Sequence, residues 1–192
     1  MLVLTAHDVG PVAYARLVRD RAVQPLTTLM ALPADVGINA TLKAQSLSWA
    51  VPKRGVISGL AALWIHGCVP GTAPRHIEIA VPRGAHPDPP SDEFGYVWAA
   101  VTEPVAVLAS SAWGGIGVTS PAAASVAALR RDDHTDAIPA VCAAISRRLC
   151  TVSEIETVVG SHSRRGRGYD RMYSAWRELR ALATAAPDCA SR

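Results

Sequence analysis

Gly55-Val-Ile-Ser-Gly-Leu-Ala-Ala-Leu-Trp-Ile-His-Gly67, followed after a short gap by His76-Ile-Glu-Ile-Ala-Val81, changes its hydrophobic period between the two segments. In the first, Ser58 can cap a helix in which Leu60, Leu63 and Trp64 recur at helical spacing, and Gly67 can end it in the left-handed conformation. In the second, Ile77, Ile79 and Val81 alternate with His76, Glu78 and Ala80. That period predicts a strand with one face covered and the face of His76 and Glu78 solvated. A helix next to such a strand opens an α+β domain.

Downstream, Pro82 ends the strand and the proline-rich stretch behind it reads as an exposed loop. Tyr96–Trp98 and Val105–Leu108 read as further strands, and Trp113-Gly-Gly-Ile-Gly-Val118 as a turn with a last short strand, giving a small, mostly antiparallel sheet. Ser120-Pro121 caps a helix through Leu129, and a second is predicted from Asp136 to Leu149, with Pro139 in its first turn. Thr151-Val-Ser-Glu154 is a capping box ahead of Ile155, Val158 and Val159, with Gly160 as the expected stop. After a Gly/Ser-containing segment, Tyr169, Met172, Tyr173, Trp176 and Leu179 form the buried stripe of a last helix. The chain thus ends in a cluster of helices.

Upstream the signal is weaker. Pro11 suits the first turn of a helix through Arg21, Leu26–Leu32 reads as strand or turn, and Gly37–Trp49 as another short helix. No pair of helices joined by a tight turn is legible there. The expected organisation is residues 1–50 as a short N-terminal appendage, at most a reduced winged-helix remnant, residues 51–182 as the main domain, and residues 183–192 as a tail.

Of the 192 residues 49% are hydrophobic, but much of this is alanine, and no run approaches the ~18 apolar residues of a membrane helix. Met1–Asp8 lacks a basic, then apolar, leader, so a cytoplasmic location is expected. Cys68, Cys142, Cys150 and Cys189 have no C-x-x-C spacing, so neither a metal nor any other cofactor is implied. The net charge is only +3, yet Arg164, Arg165, Arg167, Arg171, Arg177 and Arg180 stand against just Asp170 and Glu178 in their segment. Such a patch is either a solvated helix face or a surface for nucleic acid or an acidic protein.

Three constellations invite catalytic readings. His66, Cys68, His76 and Glu78 lack a third orienting group. Asp132, Asp133 and Asp136 could serve a metal-dependent nuclease or hydrolase, but between two helices they read as caps. Gly166-Arg-Gly168 has neither the strand nor the Gly-Lys-Ser/Thr ending of a phosphate loop.

The Gly55–Gly67 block, the block His76-Ile-Glu-Ile-Ala-Val-Pro-Arg-Gly84 and the helix-opening Gly117-Val-Thr-Ser-Pro121 come in the order that resembles the AbiEi family of antitoxins, from about Val56 to Leu182. The family belongs to abortive-infection and type IV toxin–antitoxin systems. The resemblance implies a non-catalytic antitoxin that neutralises a nucleotidyltransferase-like toxin. It also implies operator DNA as a second partner, through an N-terminal winged helix-turn-helix that represses transcription. Within the family's helix block Ser58, Trp64, His66 and Gly67 are expected to be structural, while the arginine patch would meet DNA backbone or an acidic toxin surface. The resemblance leaves homo-oligomerisation open.

Overall fold

The computed structural model describes residues 3–28, 30–52, 55–81, 95–100, 105–111, 114–162 and 166–185. The chain begins with β1 (Leu4–Thr5), α1 (Ala6–Val9), α2 (Pro11–Arg19), β2 (Val23–Pro25) and β3 (Met30–Pro33). Thr5 and Asp8 form a capping box on α1, with the Thr5 N–H donating to Asp8 at 2.9 Å. Gly10 alone separates the two helices, at φ +79°, where side chains are rarely accommodated, and Pro11 then starts α2. A pair of helices with a one-residue turn is therefore present where the sequence showed none, because α1 is a single turn too short to carry a periodic signal. β3 pairs antiparallel with both β1 and β2, giving the order β1-β3-β2. Together these elements form a strand–helix–helix–hairpin unit. Its hairpin is fixed to the rest of the molecule by Leu26 and Leu32, which belong to the same hydrophobic core as Leu63 and Leu129.

Next comes α3 (Ala40–Ser46), capped by Asn39, whose Oδ1 accepts from the Leu42 N–H at 2.9 Å. The main sheet is built from β4 (Val56–Ser58), β5 (His76–Val81), β6 (Gly95–Ala100), β7 (Val105–Ser111) and β8 (Gly114–Thr119) in the order β6-β5-β4-β8-β7. Pairs β4–β5 and β7–β8 are antiparallel, whereas β4–β8 and β5–β6 are parallel. With the small sheet included, four of the six described pairings are antiparallel. The architecture is α+β. β6 and β7 lie at opposite edges although only residues 101–104 separate them.

The helix α4 (Gly59–Ile65) follows β4 without a break, and all seven of its residues are buried. It lies against β5 and is overlaid by α5 (Pro121–Arg131) and α6 (His134–Ser146). Small side chains at Ala61, Ala62, Ala124 and Ala128, all fully buried, let these helices approach closely. Among the described residues thirteen alanines are buried. α6 begins at His134 rather than Asp136, since Asp133 caps it and accepts from the Thr135 N–H at 2.9 Å. Pro139 consequently lies inside the helix. The predicted capping box of α7 (Val152–Ser161) is present, with the Thr151 N–H donating to Glu154 at 2.7 Å, but the helix runs past Gly160 and closes at His162. α8 (Tyr169–Ala185) buries Met172, Ala175, Trp176 and Leu179, while Tyr173 stays largely exposed and stacks on Tyr169 at 5.7 Å between ring centroids.

Candidate functional site

Local helix chemistry leaves the first N–H groups of α4 without intrahelical acceptors. Ser58 has the backbone conformation of an N-cap, yet its hydroxyl does not accept from the helix. The acceptor is the Asp132 carboxylate, whose Oδ2 takes the Leu60 N–H at 2.8 Å from 72 residues away in sequence. Gly59 makes room for it, because a Cβ there would lie 2.9 Å from Asp132 Oδ2 and 3.4 Å from Glu78 Oε2, and its φ of +58° also favours glycine. Glu78 is buried, contrary to the solvated face expected for it, as is Ala80. Only His76 of that set is exposed. Arg131 reaches Glu78 Oε1 at 2.8 Å, while Oε2 has no hydrogen-bond partner. Burial pushes the Glu78 carboxyl up to about 7, against the pull of Arg131. The Ser58 hydroxyl beside it also favours the anion without standing in hydrogen-bond geometry to Oε2. Burial likewise raises Asp132 above the usual carboxylate range.

The consecutive residues Arg130, Arg131 and Asp132 at the end of α5 therefore tie three elements together. Arg131 holds β5 and Asp132 holds α4. Arg130 Nε donates to the Arg167 carbonyl at 2.6 Å, and Gly168 packs on the Arg130 backbone at the entrance to α8. Arg171 closes the tie by donating to the Asp132 carbonyl at 2.6 Å. Nothing in the periodicity marks this tie, because its partners lie far apart in the chain and only folding brings them together.

The arginine patch is divided by these contacts. Arg164 and Arg165 lie outside the described residues. Arg171 is committed to the tie and Arg180 pairs with Glu156 at 2.9 Å, and these two are exposed as Arg167 and Arg177 are. Replacing Arg177 by alanine is expected to leave the thermal midpoint unchanged. The Arg171 to alanine change should lower it by roughly 2–4 °C, since it deletes a charge-assisted bond worth about 1 kcal/mol. Equal midpoints in a melting comparison would remove Arg171 from the structural tie.

The family-block residues have internal partners. The Trp64 indole donates to the Gly71 carbonyl at 2.8 Å, and Lys43 Nζ both donates to the Trp64 carbonyl at 2.7 Å and stands 4.7 Å over its ring. His66 Nε2 contacts the Thr119 carbonyl at 2.9 Å. Gly67 has φ +83°, as expected for a helix end, and its carbonyl accepts from Arg147. Cys68 is buried, with its thiol pushed up by burial. Among the described residues no group of three or more His, Cys, Asp and Glu side chains could hold a metal ion. No described helix is long and apolar enough to cross a membrane.

Two surfaces remain. One is α2, none of whose residues is buried, presenting Val12, Arg16 and Arg19 to solvent with Arg21 just beyond its end. The other is a cleft of about 620 Å³ between the loop Cys68–Arg75 and the start of α6. No local pattern marks this cleft, since its walls come from separate parts of the chain.

No family model matches this chain, and no curated protein matches it. Among solved structures it is similar to the RV2827C protein from Mycobacterium tuberculosis, at 17% identity and a TM-score of 0.47, over 93% of this chain and 72% of that one. The antitoxin-family resemblance accordingly stands on the three sequence blocks.

Proposed function

We propose that the protein is a non-catalytic regulator of the antitoxin type, which binds DNA through its N-terminal helix pair and neutralises a protein partner through the main domain. The observation that supports the DNA half is the placement of α2. It is the second helix of a strand–helix–helix–hairpin unit, it buries none of its residues, and Arg16 and Arg19 lie in its last turns. A helix so presented can enter the major groove while neighbouring basic groups hold phosphates. In the main domain Arg131, Asp132, Trp64 and His66 make internal contacts, and the role proposed for it toward its partner is binding. The partner half takes its partner, a nucleotidyltransferase-like toxin, from the family resemblance.

The first test is a gel shift with the chain's own upstream DNA at several salt concentrations. The upstream sequence should outcompete scrambled DNA, and alanine at both Arg16 and Arg19 should weaken binding at least tenfold and reduce the salt slope by about 2 if both meet phosphate. Equal affinity for scrambled DNA would overturn the repressor reading. Co-expression with the product of the adjacent gene tests the partner half: rescue of growth is expected, and the absence of both rescue and complex would defeat it.

A further inference from the structure

We infer that the cleft between the Cys68–Arg75 loop and the start of α6 is a preformed docking groove for a basic segment with flanking apolar side chains, supplied by a protein partner. The inference deepens the partner half of the proposed function and rests on it. The inner surface is apolar, formed by Leu60, Val69, Pro70, Pro139 and Ala140. Its charged lining comprises Asp132, Asp133 and Asp136 against Arg75 alone, with His76 beside it. The start of a helix ordinarily favours an anion. Here the helix N–H groups are already served by Asp133, whose carboxyl is held below the usual range by the Thr135 N–H and hydroxyl, and Asp136 occupies the first turn.

The result is an acidic concavity on a chain of net charge +3. It repels phosphate, so nucleic acid is the wrong occupant, and it complements a lysine or arginine whose neighbours can lie on the apolar surface. The groove is also held in shape. The Trp64 indole bonds to Gly71, the Ala73 N–H donates to the Leu26 carbonyl at 2.8 Å, and the Cys68 N–H donates to Leu63 at 2.8 Å. Pro70, Pro74 and Pro139 stiffen its walls. Little ordering cost then remains for binding.

The probe is a fluorescein-labelled hexapeptide alternating leucine and arginine. Its controls carry glutamate for arginine in one and serine for leucine in the other. Titration against the full chain by fluorescence anisotropy is paired with amide chemical-shift mapping. We expect saturable binding of the first peptide only, with shifts confined to residues lining the cleft. Asp136→Lys should weaken it at least tenfold, and Pro139→Phe, which fills the groove from an exposed wall, should abolish it. Both variants should melt like the parent. Shifts elsewhere, equal affinity for the serine peptide, or unaltered binding by Pro139→Phe would overturn the groove. So would binding that appears only as self-association in sedimentation, which would make a second copy the occupant. Growth rescue separates the two levels: peptide binding at the cleft without rescue by the parent defeats the partner reading alone. Rescue retained in full by Pro139→Phe defeats the groove alone.

Discussion

Trp64→Ala is expected to destabilise the protein by about 3–5 kcal/mol, the range for removing a fully buried large aromatic side chain. The indole is completely excluded from solvent at the centre of α4. Its loss removes apolar contact with the core and also the donor to the Gly71 carbonyl. It leaves the Lys43 ammonium without the ring over which it stands. Because Gly71 belongs to the loop beside the cleft, the variant should also loosen that loop. Urea unfolding with hydrogen exchange on the same sample reads both effects. A loss below about 1 kcal/mol would mean that Trp64 is not the core residue described.

Arg131→Met is expected to cost about 3–5 kcal/mol at pH 8, because removing one partner of a buried ion pair strands the other charge. Arg131 has a side chain 25% exposed and Glu78 only 4%, so the cost falls on the carboxylate. It should depend on pH. In the folded parent Glu78 titrates at about 7, above its ordinary 4.5, chiefly through burial. Between those values the folded state binds more protons than the unfolded one. The Glu78 contribution to stability is therefore fully present below about 4.5 and is lost as pH rises through about 7, by an amount on the order of 3 kcal/mol. Asp132, also raised, adds in the same direction. Asp8, Asp133 and Glu154 are lowered and act oppositely, their contribution falling as pH drops toward their folded values. Glu78→Gln isolates the effect: the difference in stability between parent and Glu78→Gln should change between pH 5 and 8, and the penalty of Arg131→Met should be much smaller at pH 5. A penalty independent of pH would show that Glu78 does not titrate in this range.

Elements whose causes are local were legible in the order of residues. Ser120-Pro121 and Thr151–Glu154 start helices through side chains three residues away, Gly67 ends one through its own backbone freedom, and the spacing of Met172, Trp176 and Leu179 places their stripe in the core. The alternation of Ile77, Ile79 and Val81 located β5. It could not show that helices cover the other face, since a period of two says which residues share a side and nothing about what lies above it. Tertiary structure alone decided the cap of α4, where Asp132 replaces Ser58, the burial of Glu78 against Arg131, and the contacts that divide the arginine patch. It also decided the walls of the cleft. These depend on hydrogen bonds and ion pairs between residues tens of positions apart, whose strength comes from a shared, water-poor environment that exists only once the chain has folded.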